Sequence, residues 1–457
     1  MSDIEEQFKA YQKDSRISCR YGAKCYQKNP AHHEKYKHPP SKNAKKQRGP
    51  MRTVINKKRK QKDNAESSTD SPKKKVQKTD DNVTDENASQ ISNIKNKEES
   101  KDHDEAMSNK SNSDNEKSVK DPIVKVTIAS LLKDCNVTIE NDEILPADVQ
   151  TIISHLFLIE MPTDFFQLYE FCKNISEKDP LNAFKDVQLQ LVGPYDVYRQ
   201  TFLNSKVDNR KSLLRHWRYY YDPPEFQTII KANTKEGLHF GYWRDDPSEK
   251  PVFVAKNKAS IDCVIEPVAE NIFGTLHIYI GEKLKAANPF EKIRIAQLHQ
   301  KLKDYAKEKD ITLDKNTSNM RAREKKVVTR TFHKAGIVVP YDKKTELGYR
   351  DLAVTDNELR KLLKQIEEAG TPEEKRKPLS KLEEVIRLAT IAADECDFGT
   401  CLELGHDLFC SGVSSVQNKA LHMLSLAYNL LQRPQFLKIA QAHLELRRKD
   451  QDLNVLY

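Results

Sequence analysis

No stretch of the 457 residues approaches the roughly 18 consecutive apolar side chains needed to span a bilayer. The opening Met1-Ser2-Asp3-Ile4-Glu5-Glu6 has neither the basic nor the apolar region of a secretory signal. Together these absences predict a soluble, intracellular protein with no membrane partner. A glycine-rich phosphate loop and an internal repeat are also missing, so neither an ATPase nor a dinucleotide-binding enzyme is supported. Charge excess is absent from most of the chain: residues 121–457 hold 49 basic and 49 acidic side chains, which argues against a folded domain with a basic DNA-binding face. The net +9 belongs to the first eighty residues, because residues 41–80 carry 14 basic against 4 acidic groups and residues 81–120 carry 6 against 10.

Residues 41–122 have almost no aromatic side chains and cannot bury enough apolar surface to offset the entropy of ordering. They read as a disordered linker. Within it, Lys57-Lys58-Arg59-Lys60 and Pro72-Lys73-Lys74-Lys75 are clusters of the nuclear-import type, and weak, salt-sensitive contact with DNA phosphates is expected of them. Cys135, Cys172, Cys263 and Cys410 are scattered through apolar segments and read as reduced core thiols. Cys396 and Cys401 have no second ligand pair at metal spacing, so neither a second zinc site nor a disulfide is expected there.

What the sequence does contain is concentrated near its start. Cys19, Cys25, His32 and His38 follow one another as Cys-x5-Cys-x6-His-x5-His, the donor set of one structural, tetrahedral Zn2+. His33 is an alternative to His32, and the spacing favours His32. Only six residues, including Asn29-Pro30, separate Cys25 from His32, whereas a DNA-reading finger needs about a dozen to hold its helix. A small loop tied by metal remains, with Tyr21 and Tyr26 interleaved among Arg20, Lys24, Lys28, Lys35 and Lys37. Aromatic rings between cations suit stacking on bases while neutralising phosphates. A purely structural knot is the plain alternative. Residues 15–40 resemble the poly(ADP-ribose)-binding zinc-finger family, in Tyr21-Gly22, Cys25-Tyr26-Gln27-Lys28-Asn29-Pro30 and His38-Pro39. That resemblance implies stacking of Tyr21 and Tyr26 on adenine, with Arg20 and Lys28 on the pyrophosphates; Gln27 stands where an Arg is usual.

From residue 123 apolar periodicity predicts an α+β fold in two lobes, an α+β lobe over 123–288 and a mostly helical lobe over 289–457. Helices are expected from Pro146-Ala147-Asp148 to Ile159 and from Pro162-Thr163-Asp164 to Asn174. Strands are expected at 187–191, 237–243, 251–255 and 275–280. Further helices are read over Phe290–Lys307, from the capping box Thr355-Asp356-Asn357-Glu358 to Ala369, from Ser380-Lys381-Leu382-Glu383 onward, and over 414–432 and 435–448. The helix opening at Ser380 should stop near Gly399, in Ala392-Ala393-Asp394-Glu395-Cys396-Asp397-Phe398-Gly399. Acids there face the negative end of the helix dipole, a placement that costs roughly 0.3–1 kcal/mol apiece. If Asp394 pairs with an Arg, Glu395 is left poised to accept a proton. On periodicity alone, solvated acids at a frayed end fit as well.

Residues 123–457 resemble the histone PARylation factor family. The resemblance is carried by Tyr220-Tyr221-Asp222-Pro223-Pro224-Glu225-Phe226-Gln227, Thr331-Phe332-His333-Lys334-Ala335-Gly336-Ile337-Val338-Val339-Pro340, Gly348-Tyr349-Arg350, Asp394-Glu395-Cys396-Asp397 and Leu404-Gly405-His406-Asp407-Leu408-Phe409-Cys410. It implies a factor inactive alone, which joins DNA-damage-activated poly(ADP-ribose) polymerases and directs ADP-ribosylation to serine on histones and other proteins. Glu395 would be the general base, Asp394 would pair with Arg350, and Tyr349 with Arg350 would form part of the docking surface. NAD would be used by the polymerase and not bound by this chain, which would act as a monomer in the nucleus, on chromosomes at sites of DNA damage. Lys110-Ser111 and Lys117-Ser118 in the linker would be candidate acceptors in cis. The alternative is a poly(ADP-ribose) reader with no catalytic contribution.

Overall fold

Runs rich in β-branched and aromatic residues between residues 189 and 269 assemble one five-stranded sheet. Its strands are β1 (Leu189–Leu191), β2 (Phe226–Ala232), β3 (Leu238–Trp243), β4 (Phe253–Lys258) and β5 (Glu266–Ala269). They lie in the order β5-β4-β3-β2-β1, each pair antiparallel. This computed structural model describes residues 11–19, 30–39, 125–133, 139–140, 143–144, 148–450 and 452–457. The linker with its basic clusters, Lys110-Ser111 and Lys117-Ser118, Cys135, and the finger residues Arg20, Tyr21, Lys24, Cys25, Tyr26, Gln27 and Lys28 lie outside the described residues.

Alternation along the strands sends side chains to two apolar faces. Ile230, Phe240, Tyr242 and Val254 join the main core, while Phe226, Trp243, Phe253 and Ala255 meet Ile265 and Ala335 on the opposite side. Close strand contact at the centre requires Gly241, where a Cβ would lie 2.4 Å from the Gln227 carbonyl oxygen. The longest strand, β2, was not expected, because burial on both faces removes the polar alternation that marks a half-buried strand.

Helices α1 (Val149–Phe157) and α2 (Thr163–Ile175) form as expected. The strand expected over 275–280 does not: those residues lie inside α3 (Ile272–Ala286), capped by the Asn271 side chain, which accepts from the Gly274 amide at 2.9 Å. A short apolar run has no period of its own, and only the wider spacing of Ile272, Leu276, Tyr279 and Ile280 on one buried face identifies it as helical. After α4 (Pro289–Glu308) and α5 (Ser318–Glu324) come α6 (Asp356–Glu368) and α7 (Pro372–Asp394). The Thr355–Glu358 capping box closes as read. The expected start at Ser380 lies inside α7, whose own capping box is Thr371–Glu374; Pro378 interrupts the helical pattern, yet the helix runs through it. α8 (Phe398–Ser411), α9 (Gln417–Leu430) and α10 (Pro434–Glu445) complete the described body.

The mixture of strand and helix matches the expected class, but the core is not divided into two lobes. One apolar cluster extends from Ile128 to Val455, through the sheet and the helices alike. α8 lies deep within it, with every residue from Gly399 to Cys410 buried. A helix enclosed on all sides lacks the broad solvated face that sets off an apolar one, which is why apolar periodicity did not reveal it. Two polar knots are buried here, one joining the turn before β2 to the sheet and the other joining that turn to the helices. Asp222, enclosed, accepts from the Thr228 hydroxyl at 2.6 Å and the Tyr219 amide at 3.0 Å, and it meets His239 Nε2 at 2.8 Å. Glu225 Oε1 accepts from Tyr428 of α9 at 2.8 Å and lies 3.2 Å from His406 Nε2 of α8. Burial drives the Glu225 carboxyl upward, but His406 and the Tyr428 hydroxyl outweigh it and hold its pKa below the usual carboxylate value. Glu225→Ala strands both partners in a dry core and should cost about 3 kcal/mol or more, read as a lowered urea midpoint with α8 amides exchanging faster.

Candidate functional site at the corner of two helices

α7 ends at Asp394, and the chain turns into α8 within three residues. Gly399 does not make this break. Cys396, at φ +74°, takes the left-handed conformation, and Gly399 sits in the first turn of α8, its amide bonded to the Gly348 carbonyl at 2.9 Å. The turn needs one residue at positive φ, and here it is a cysteine, so the glycine was the wrong signal. Gly348 itself has no alternative: at φ +114° a Cβ would sit 2.0 Å from the Pro340 carbonyl oxygen.

The Gly348–Arg350 loop is tied to the start of α8 by four bonds. Asp397 Oδ1 accepts from the Gly348 amide at 2.9 Å, Gly399 donates to Gly348, and the Thr400 hydroxyl accepts from the Arg350 amide at 3.2 Å and donates to its carbonyl at 2.7 Å. Tyr349 is held behind the loop, its hydroxyl 3.2 Å from Glu403 Oε2 and 3.1 Å from Asp351 Oδ1. Arg350 then projects forward. Its guanidinium bonds Glu395 and, 3.3 Å from Nε, Asp397 Oδ2. The expected Asp394–Arg350 pair is therefore replaced by Glu395 and Asp397. On leaving α7 the backbone turns Asp394 toward the finger, where the His32 ring comes within range of its backbone.

Glu395, Asp397, Tyr349, Arg350, Asp351 and Tyr341 line a groove of about 560 Å³. The Arg350 side chain is 44% exposed and Glu395 26%, so the pair sits in contact with water and contributes little, about 0–1 kcal/mol. Burial raises the Asp397 carboxyl, an effect the Gly348 amide and Arg350 reduce. Deeper in, burial pushes the Glu403 carboxyl up to about 7 against hydrogen bonds from Thr329 and Tyr349, and burial likewise raises the Tyr349 phenol.

In the finger, Cys19, His32 and His38 each bring one ligand atom within 4.8 Å of the others. Cys19 Sγ lies 3.5 Å from His32 Nε2, which lies 3.0 Å from His38 Nε2. Tetrahedral zinc, with Zn–S of about 2.3 Å and Zn–N of about 2.0–2.1 Å, places such pairs roughly 3.6 and 3.3 Å apart. The donor set and its spacing fit that ion, with His32 rather than His33 facing Cys19. A short parallel pairing of Ile17–Ser18 with Tyr36–Lys37 closes the fold around it. Lys35, at the end of the finger helix Pro30–Lys35, stacks its ammonium 3.8 Å above the Phe398 ring at the start of α8.

The family model described as histone PARylation factor 1 matches residues 148–447. Histone PARylation factor 1 of Mus musculus is 39% identical over 306 residues, 66% of this chain and 88% of the relative. The Danio rerio protein of the same name is 40% identical over 300 residues, 65% and 85% of the two chains. A putative histone PARylation factor 1-like protein of Homo sapiens is 39% identical over 308 residues, 66% and 88%. The chain belongs to the histone PARylation factor 1 family. A PBZ domain model matches residues 16–41, so this family member carries a PBZ zinc finger at its N-terminal end. The family region takes in the loop, the helix corner and α8 together.

Sequence reasoning brought Tyr349, Arg350, Asp394 and Glu395 to one corner but missed Thr400 and Glu403 and gave Asp397 no partner. A signal was present: Thr400, Glu403 and Asp407, three and four apart in an otherwise apolar segment, mark one polar stripe on a buried helix. Asp397→Ala removes the acceptor of the Gly348 amide and one carboxylate from Arg350. Hydrogen exchange at Gly348 should rise at least tenfold, with a stability loss of about 1–2 kcal/mol. Zinc content gives a second check: the purified chain should carry one zinc ion, lost in Cys19→Ala while the body melts at an unchanged temperature.

Proposed function

We propose that this chain is an accessory factor that completes the active site of a DNA-damage-activated poly(ADP-ribose) polymerase and directs ADP-ribosylation to serine on histones and other proteins. The loop bearing Tyr349 and Arg350 docks on the polymerase, and Glu395 enters the composite site as general base. The observation that carries this reading is Glu395 itself, a carboxylate at a helix corner, lining an open groove, its charge held by an arginine that is 44% exposed. Family membership supports the accessory role.

A serine hydroxyl is neutral at physiological pH and needs a base within hydrogen-bond reach, a contribution of about 10²–10⁴ in rate. Arg350 occupies the Glu395 carboxylate in the free chain, so Glu395 reaches a serine hydroxyl once Arg350 has turned to the partner, and a water-exposed pair costs little to open. The orienting part expected of Asp394 falls to Asp397, which keeps the loop in place when Arg350 leaves. NAD, held by the polymerase, supplies the ADP-ribosyl group; Glu395 takes the serine proton as the bond to the ribose carbon forms.

The finger holds the factor where polymer already exists. Cys19, Cys25, His32 and His38 bind one zinc ion; Tyr21 and Tyr26 stack on adenine rings, and Arg20 and Lys28 face the pyrophosphates. With nuclear-import clusters in the linker, the site of action is chromatin at DNA damage.

With polymerase, nicked DNA and a histone peptide, Glu395→Gln should lower serine modification by at least about 100-fold. Its affinity for the polymerase should stay within a few-fold of wild type by calorimetry. Serine modification at the wild-type level by this variant would refute the base assignment. Tyr26→Ala should keep serine modification and lose retention on immobilised poly(ADP-ribose), whereas a plain reader would lose retention with modification untouched by either variant.

A further inference from the structure

Behind the docking loop lies a group of acids that the proposed reaction does not use. Asp356 at the start of α6, and Glu403 and Asp407 of α8, each place one carboxylate oxygen within 4.8 Å of the others. Glu403 is 5% exposed and Asp407 is fully enclosed. Two buried carboxylates this close need positive charge beside them. Among the described residues the one cation in ion-pair range of the three is Lys334, 3.5 Å from exposed Asp356, while Arg360 lies farther off, its guanidinium over the Phe332 ring.

Hydrogen bonds do not exhaust the group. Glu403 Oε1 accepts from Thr329 at 2.7 Å and Oε2 from Tyr349 at 3.2 Å, each oxygen keeping a second lone pair. Asp407 Oδ1 accepts from the Phe332 amide at 2.7 Å, but Asp407 Oδ2, enclosed, has no hydrogen-bond partner. One residue before Phe332, the Thr331 hydroxyl is likewise enclosed without a partner. Enclosed carboxylates with acceptor capacity left over call for a proton or a metal ion.

The donor chemistry distinguishes between metals. All the donors are oxygens, which suits a hard cation and disfavours zinc or copper. A mostly enclosed, irregular set of protein oxygens suits Ca2+, whose coordination is flexible, better than Mg2+, which keeps several waters in a near-ideal octahedron.

We propose that Asp356, Glu403 and Asp407 form a binding site for a calcium-sized divalent cation, buried behind the Tyr349–Arg350 loop. The ion neutralises the acids and, through Glu403 and the Tyr349 hydroxyl, stiffens the loop that presents Arg350.

Terbium tests this in the full-length, zinc-loaded chain, because Tyr349 stands close enough to sensitise its emission. Tyrosine-excited terbium luminescence should saturate, and Ca2+ should displace it at lower concentration than Mg2+. Asp407→Asn and the surface variant Asp356→Asn, which leaves the core untouched, should each weaken binding at least about tenfold. Ca2+ should also slow exchange of the Tyr349 and Arg350 amides in wild type and not in Asp356→Asn. Absence of saturable emission, or equal emission from wild type and both variants, would overturn the metal site and leave a shared proton as the neutralising charge. Failure here is distinguishable from failure of the accessory role, which is read by serine modification with Glu395→Gln.

Discussion

A carboxylate cut off from water sets the geometry of this protein. Glu225 follows the turn that leads into β2 and reaches across to His406 on α8 and Tyr428 on α9. An unpaired charge in such a core is strongly destabilising, so the three groups must meet, and meeting fixes α8 against the sheet. Once α8 is placed, its first turns are placed too, and with them Asp397, Thr400 and Glu403. The loop carrying Tyr349 and Arg350 has no regular structure of its own and takes its shape from those side chains. The candidate site is in this sense an outgrowth of the core.

The same dependence explains why so long a motif surrounds Glu225. Asp222, Glu225 and Gln227 are all buried and partnered, and the Arg218 guanidinium donates to the Pro223 and Phe226 carbonyls at 2.8 and 2.7 Å. These residues hold the scaffold. The chemistry proposed for the chain rests on exposed Arg350 and half-buried Glu395, whose mutual attraction is weak because water screens it. A strong interior that displays a weakly held ion pair suits a factor whose base must be released on docking.

How much of this was legible depended on where each residue sits. Capping boxes and amphipathic stripes exposed α6 and the apolar face of α7 because half of each helix meets water. Segments buried on all sides gave no such contrast: β2 and α8 were missed, and the run within α3 was taken for a strand. At the helix corner the acids were conspicuous because they oppose the helix dipole, yet their partners were not, since Arg350 lies 45 residues from Glu395 along the chain. Asp394 and Glu395 are adjacent, and no local rule says which of them the arginine reaches.

The sequence by itself determined what depends on spacing and composition. The candidate zinc donors, the spacing too short for a DNA-reading helix, the net positive charge of the first eighty residues and the family of the body all follow from neighbours along the chain. Only the tertiary structure decided what depends on neighbours in space. It gave Arg350 to Glu395 and Asp397, put the helix break on Cys396, merged two expected lobes into one core, and gathered Asp356, Glu403 and Asp407. Side-chain pairing is set by where the packed backbone leaves each group, and the polar stripe of α8, buried with the rest of that helix, does not say which groups it meets.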